Sequence, residues 1–532
     1  MKAFSELLNR LVFTPSRNGK LALITAYLRE TPDPDRGLAI AALTDGLFFR
    51  LPVRRLLAEL VEPWVDPELY RLSRDYVGDT AETVALLWPD PAAEDPPRLH
   101  EVVMAIEAAE PSDRGALIGG WLDRLDANGR WALLKLLTGA LRVGVSARLA
   151  KTAIAQYGGV DPAEIEEVWH SIDPPYPDLF AWLDGHGERP DPGRRPVFRP
   201  LMLSHPIEEN DWPGLQPEDY FAEWKWDGIR VQVSAVGDEV RIFSRTGDDV
   251  SGAFPDVALA FRGSDAVLDG ELLVLRESEV APFNDLQQRL NRKVVTTKML
   301  KAYPGHVRLY DMLFEGGEDL RALPLRERRG RLIAWHERMR PARSDISPLI
   351  AFNNFDELHQ LWASTRQNGI EGLMLKRQDA PYIAGRPKGY WWKWKRSPLT
   401  LDLVLMYAQR GSGKRSSYYS DYTFGAWRAT ASGERELVPV GKAYSGYTDE
   451  ELLRLDRWIR NNTVERFGPV RSVKPGIVFE VAFDSVHASP RHKSGVAMRF
   501  PRIHRIRWDK PADEADWLDT IQRMIAGDDI GS

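Results

Sequence analysis

The stretch FAEWKWDGIR, residues 221–230, lodges a lysine between two tryptophans and closes on Asp-Gly and an arginine. Side chains alternate faces along an extended strand, so Glu223, Lys225 and Asp227 share one face and Trp224 and Trp226 the other. GYWWKWKR (389–396) repeats the device, with Lys393 and Lys395 on one face and Trp392 and Trp394 packed behind. Such a strand holds an amine rigidly in a charged lining, where it could serve as a nucleophile. Between the two segments lie SRTG (244–247), DGELL (269–273), RLYDML (308–313) and EGLMLK (371–376). Taken singly, each has a bland reading as a surface turn, a strand pair or an exposed edge. Their order along the chain is the signal.

That order resembles the covalent nucleotidyltransferase superfamily, and within it the ATP-dependent DNA ligases. KxDGxR is met in full by Lys225, Asp227, Gly228 and Arg230, and RFPRIHRIRWDK (499–510) closes the series. TGALRVGVSARL (138–149) is similar to part of those ligases' N-terminal DNA-binding domain, so the resemblance covers most of the chain. It implies that Lys225 attacks the α-phosphate of ATP, giving lysyl-AMP and releasing pyrophosphate. AMP then passes to the 5′-phosphate of a nick in duplex DNA, and the 3′-hydroxyl displaces it. Only a free amine attacks, and an ordinary lysine is neutral in about one copy in a few thousand at pH 7. Such a site needs desolvation or cations, here Lys393, Lys395 and a divalent metal, working against Glu223 and Asp227.

The same resemblance implies the remaining roles. Arg230 and Arg245 hold the ribose and later the nicked-strand phosphates, and Tyr310 stacks on adenine. Glu223 lines the nucleotide site, while Lys376 and Arg386 contact phosphates. Glu271 and Glu371 are the carboxylates of a Mg²⁺ or Mn²⁺ site, since hard cations take oxygen ligands. In the closing motif, which carries Arg499, Arg502, Arg505, Arg507 and Lys510, Arg502 orients pyrophosphate. His504 stands where the family has an apolar or aromatic residue, and reads as a strand residue at a barrel surface.

The elements that must position these groups fall into three textures. Residues 1–180 read as helical: Phe4, Leu7, Leu8 and Leu11 follow i, i+3, i+4, i+7, and 131–157 is a long apolar-rich segment of the same kind. GHGERPDPGRRPVFRP (185–200) reads as a linker. GIRVQVSAV and EVRIFSRTG then alternate around Gly-Asp as a hairpin. Further strand candidates are AVLDGELLVL, HVRLYDMLF, GIEGLMLKR and GYWWKWKR, with a helix near 355–367. Beyond RSPLT (396–400) come short strands with one helix near 448–462, for which a small OB-like barrel is the economical reading. The expected fold is therefore multidomain. An all-α DNA-binding domain (1–190) precedes an α+β adenylation domain (200–397) and a C-terminal OB-fold β-barrel (398–532).

Composition bounds the function. At 532 residues with 43% hydrophobic content the chain reads as a multidomain globular protein, and no apolar run reaches the roughly 20 residues of a membrane span. Cysteine is absent, which excludes thiolate nucleophiles and Cys-type zinc sites. That count also separates the chain from NAD-dependent ligases, which resemble a layout with a four-cysteine zinc module. The net charge of −6 hides basic stretches at 385–415 and 491–510. RGSGKRS (410–416) is not a phosphate loop, because Ala408 and Arg415 stand where that motif needs Gly and Ser or Thr. HASPRHK (487–493) lacks a third ligand at metal spacing and reads as a DNA-backbone contact or a solvated turn. The expectations are a cytoplasmic, nucleoid-associated monomer acting on nicked double-stranded DNA in repair or replication, a stand-alone ligase of bacterial or archaeal type. An RNA ligase or capping nucleotidyltransferase shares the lysine chemistry, though capping enzymes lack the helical N-terminal domain. A non-catalytic DNA-binding scaffold is opposed by the intact Lys225, Glu271, Glu371, Lys393 and Lys395.

Overall fold

The computed structural model describes residues 1–49, 51–89, 95–139, 141–191, 193, 195–290, 292, 295–364, 369–395, 398–411, 419–430, 433–444, 446, 448–490 and 492–526. The chain forms two compact units. One comprises Met1–Pro15, Leu47–Gly144 and Ser397–Ser532, the other Ser16–Gly46 and Val145–Arg396. The helical region therefore contributes to both.

In the first unit, the described residues form seven helices, from Lys2–Phe13 to Ala127–Thr138, ahead of a strand-rich region. The strand Leu399–Arg410 is its axis. It pairs with Tyr419–Ala429 on one edge, and on the other with Val470–Val473 and Val478–Phe483. One strand serving two partners in succession makes a sheet that curls into a half-barrel around Leu403, Leu405, Tyr422, Phe424 and Phe479. Helix Asp449–Asn462, opened by a Thr448/Glu451 capping box, covers this core with Leu455 and Ile459.

The apolar segment 131–157 is two helices, not one. Gly139 ends Ala127–Thr138 in a left-handed cap, and Ser146 starts Ala147–Gly158 by accepting the Leu149 N–H. LRVGVS occupies the break, where Arg142 and Gly144 also have positive φ. Apolar content alone does not reveal such a break.

The second unit holds helices Arg17–Glu30, Asp35–Leu43, Ala147–Gly158, Pro162–Trp169 and Pro177–Leu183, followed by two sheets. The stretch read as a linker ends in packed chain: Phe198 and Leu201 are buried against Phe243. Glu167 of Pro162–Trp169 reinforces that docking, with Arg321 and Arg189 each 2.9 Å away. The first sheet runs His205–Pro206, Trp391–Lys395, Ile370–Arg377, Tyr220–Trp226, Leu349–Ile350. The second is built on the antiparallel strands Glu239–Ser244, Ile229–Gly237, Ser264–Arg276 and Gly305–Glu315. Its core, Val231, Val233, Leu268, Leu309 and Phe254, packs under helix Leu325–Met339 through Leu332 and Trp335. The hairpin read from GIRVQVSAV and EVRIFSRTG is present, with Val236 opposite Glu239 at its tip.

Candidate active site

The chain passes from the first sheet to the second at Asp227-Gly228. A Cβ at Gly228 would lie 2.4 Å from the Leu272 carbonyl oxygen, so only glycine lets the two sheets approach here. The approach encloses a cavity of about 340 Å³, lined from the first sheet by Glu223, Lys225, Glu371, Lys376, Lys393 and Lys395, and from the second by Arg230, Glu271 and Tyr310. Arg245, at the turn following the hairpin's second strand, completes the cationic side.

Register explains the first wall. Gly372 lies opposite Lys225 on one side and Lys395 on the other, and Met374 likewise separates Glu223 from Lys393. Both lysine strands thus present their cations in rows across the Glu371 strand. A Cβ at Gly372 would sit 2.4 Å from the Trp394 carbonyl oxygen and 3.3 Å from the Lys395 Cα, so the row closes only around glycine. On the opposite face, Leu373, Leu375 and Trp392 are buried with Trp362, and Trp224 and Trp394 pack against them. Trp226 instead reaches the second sheet's surroundings, with the Arg308 guanidinium 4.1 Å over its ring and its indole N–H donating to Ser347 Oγ at 3.1 Å.

Two functional groups reach the cavity because the ladders slip. Strict alternation would put Glu371 beside Leu373, facing the tryptophans. A register shift between Ile370 and Gly372 leaves Glu371 without a cross-strand partner, and a bulge of this kind re-aims its side chain. Glu371 Oε1 accepts from Lys225 Nζ, and Oε2 accepts from Lys395 Nζ at 2.6 Å. Likewise Asp269 pairs with Asp311 and Gly270 with Leu309, so Tyr310 is the extra residue of its strand and turns its ring to the cavity.

Electrostatics divides the two carboxylates. Burial pushes the Glu271 carboxyl up to about 8, with Glu371 adding and Lys225 and Arg230 only partly opposing. Burial also acts on Glu371, but Lys225 and Lys395 outweigh it and hold that carboxyl below its ordinary value. Lys393 is lowered by burial and by Arg386, Lys395, Lys225 and Arg245 around it. Arg245 is lowered for the same kind of reason, with Arg230 and Arg386 as its cationic neighbours. A cavity that crowds cations until each disfavours the next is one suited to a polyanion.

Several groups expected to touch a ligand are already engaged. The Arg230 guanidinium grips Asp269 with Nε at 3.0 Å and Nη2 at 2.5 Å, and gives Nη1 to the Met202 carbonyl at 2.7 Å. Lys376 is 2% exposed, donates to both Glu223 oxygens at 3.4 Å, and lies 3.9 Å over the Tyr310 ring. It forms part of the cavity floor, where burial lowers its ammonium despite Glu223. Glu223 is itself buried between Lys376 and Arg329. Arg386 does not line the cavity; its charge acts from beside Arg245 and Lys393, and its carbonyl accepts from His205 Nε2 at 3.1 Å. Arg502 lies in the other unit, on the strand Arg502–Arg507, 3.3 Å from Asp484. His504 on that strand is exposed, 3.6 Å from Glu480.

Sequence reasoning passed over three contributors. Asp269 is fully buried and anchors Arg230, and Tyr382 donates its hydroxyl to Asp269 at 2.8 Å. Trp391 lines the cavity. The period that places Lys393 and Lys395 together includes Trp391, and Asp269 stands in the DGELL element already quoted; nothing local marks Tyr382. Residues 412–416 of the basic loop lie outside the described residues, as does Arg491 of HASPRHK. Among the described residues no group of three or more His, Asp or Glu converges as a metal cage.

Comparison with known proteins agrees with this geometry. A family model described as "ATP dependent DNA ligase domain" matches residues 202–395, and one described as "ATP dependent DNA ligase C terminal region" matches 415–510. A "Probable DNA ligase" of Koribacter versatilis is 32% identical, covering 98% of this chain and 96% of that protein. "DNA ligase 1" of Korarchaeum cryptofilum is 30% identical, covering 98% of each chain. A solved structure titled "Pmar-Lig_PreS3" aligns with 95% of this chain and 99% of its own at a TM-score of 0.57 and 16% identity, a likeness of fold.

Proposed function

The chain belongs to the ATP-dependent DNA ligases, enzymes that use ATP to seal nicks in DNA, and on that premise we propose that Lys225 is the residue that carries AMP. The observation behind this is the row Lys225–Gly372–Lys395 with Glu371 accepting from both ammonium groups. In the first step the Lys225 amine forms a bond to the α-phosphorus of ATP as the bond to pyrophosphate breaks. Glu371 orients the amine, and Lys393 and Lys395 face the phosphate whose charge builds up. The 5′-phosphate of the nick then takes AMP from nitrogen, and attack by the 3′-hydroxyl expels AMP and closes the phosphodiester.

Tyr310 supplies the ring for adenine, with Lys376 behind it. Arg230, fixed by Asp269, and Arg245 border the sugar and the incoming strand, Glu223 lines the base end, and Arg386 adds charge at the phosphate end. Glu271 and Glu371 would hold a Mg²⁺ or Mn²⁺ ion. The fit rests on Glu271, a carboxyl that burial makes a reluctant anion and that a divalent cation would neutralise. Two carboxylates leave most ligand positions for phosphate and water, as Mg²⁺ prefers. When bound, the metal supplies charge stabilisation to the phosphates.

The same reading assigns 1–190 as a DNA-binding domain, 200–397 as the adenylation domain and 398–532 as an OB-fold. The curled sheet around Leu399–Arg410 supports the last, and its Arg502 orients pyrophosphate. The protein acts as a monomer on nicked duplex in the cytoplasm, on the nucleoid. Incubation with α-labelled ATP and Mg²⁺ followed by denaturation tests the core of it. Label stays on the protein, and Lys225→Ala abolishes both labelling and sealing while retaining nicked-DNA binding. Labelling of the variant at the parental level would refute the assignment.

A further inference from the structure

Beside the nucleophile the chain passes between the two sheets twice. It leaves the first sheet at Asp227-Gly228, and it returns after strand Ser344–Ile346, which pairs with Val307–Leu309 of the second sheet. The strand that follows, Leu349–Ile350, pairs with Glu223 and Ala222 of the first. Trp226, 7% exposed, ties one passage to the other. Its indole N–H donates to Ser347 Oγ at 3.1 Å, and Ser347 is itself held, donating its backbone N–H to the Leu309 carbonyl at 2.7 Å.

Arg308 completes the clamp. It stands opposite Glu271 in the second sheet, with its guanidinium 4.1 Å over the Trp226 ring. The edge of the same group makes two parallel bonds to Asp345, Nε to Oδ1 at 2.9 Å and Nη2 to Oδ2 at 2.6 Å. One short segment, Asp345 to Ser347, therefore holds Trp226 through its N–H and through the arginine on its face. A planar cation meets a carboxylate with its edge and an aromatic ring with its face at once; an ammonium group does not. Trp226 adjoins Lys225 in the chain. On the neighbouring strand Gly372 lies opposite Lys225 and Ile370 opposite Trp226, with the bulged Glu371 between them. A displaced Trp226 would carry both the amine and its carboxylate partner with it.

The geometry points to Arg308 as a positioning residue for lysine adenylation, which fixes the end of the Lys225 strand against the second sheet by stacking on Trp226. The inference rests on the ligase reading above and deepens it. Trp226 lines the Lys225 cavity and Arg308 does not, so the arginine acts through the indole. Two other roles predict different behaviour. An arginine that served stability alone would weaken every step of the reaction alike, and one that served by its charge would be replaceable by lysine. Asp345 is partly exposed and also lies 3.3 Å from His306 Nε2, so removing the guanidinium strands no deeply buried carboxylate.

The test reads the reaction steps separately on the full-length protein. With α-labelled ATP and Mg²⁺ in single turnover, Arg308→Gln lowers the maximal rate of adenylation about tenfold, while half-saturating ATP stays within about twofold of parental. Sealing of a nick supplied already adenylated, in which no bond to Lys225 is made, stays within about twofold and verifies folding. Arg308→Lys is as slow as Arg308→Gln. Trp226→Leu slows adenylation about tenfold, and adding Arg308→Gln to it costs nothing further, because the two residues act as one unit. Multiplied losses in the double variant, an unchanged adenylation rate, or an equal loss on the adenylated nick would each overturn the inference. Rescue by lysine, or a raised requirement for ATP or Mg²⁺, would overturn it too. Failure of the ligase reading itself is a separate result, since parental protein would then take no label and leave the adenylated nick open.

Discussion

Gly372→Ala probes the lysine row directly. The added methyl would lie 2.4 Å from the Trp394 carbonyl oxygen and 3.3 Å from the Lys395 Cα. Ordinary contact begins about 3.4 Å apart, so the Trp391–Lys395 strand must retreat by about 1 Å. Both neighbours are backbone, and no rotamer change relieves the clash. Overpacking of this kind costs about 1–3 kcal/mol, and a shift of about 1 Å in reacting groups costs about 10²-fold in rate. Single-turnover adenylation with α-labelled ATP should therefore slow about 100-fold, while urea unfolding records a loss of about 1–3 kcal/mol with the fold retained. Gly330→Ala is the control. It lies on the exposed side of a helix where a Cβ meets nothing within 4 Å, so it should leave adenylation unchanged and stability equal or higher by about 0.5–1 kcal/mol. Adenylation by Gly372→Ala within twofold of parental would refute the claim that the row's spacing positions the nucleophile.

Two further outcomes follow from buried charge. Asp269→Asn leaves the Arg230 guanidinium without its carboxylate in a nearly dry site, and should cost about 3–5 kcal/mol in urea unfolding; a loss below about 1 kcal/mol would show that the pair is not a structural anchor. His170, its ring tilted against Phe243 with centroids 4.5 Å apart, is lowered from 6.5 to about 4 by burial, with Lys151 and Arg241 adding. Between those values the unfolded chain takes a proton that the folded one refuses, so stability falls as pH drops through that window. His170→Phe should gain about 2 kcal/mol relative to parental on going from pH 7 to pH 5, measured by urea unfolding at each pH, and a pH-independent difference would contradict the assignment.

The charged lining was legible because period-2 alternation is a local property. WKW and WWKWK announce which residues share a face before any partner strand is known. Glu371 and Tyr310 were legible only through their motifs, since alternation alone sends Glu371 to the wrong face and register slips are decided by the neighbouring strand. The engagement of Arg230 was invisible for a related reason: its partners Asp269, Met202 and Tyr382 come from three separate stretches of chain. The break at Gly139–Ser146 shows the converse. Its Gly and Ser were present as cap signals, but the surrounding apolar density masked them.

The two slipped ladders set regularity against use. Removing one residue from the start of the Ile370–Arg377 strand, or from the middle of the Gly305–Glu315 strand, would let pairing run unbroken and could return a backbone hydrogen bond to the sheet. The carboxylate would then point into a wall of indoles, or the phenol ring would be missing from its place. A search that rewards heat tolerance alone is free to accept such repairs, and the molecules it collects would be sturdier sheets that no longer join anything.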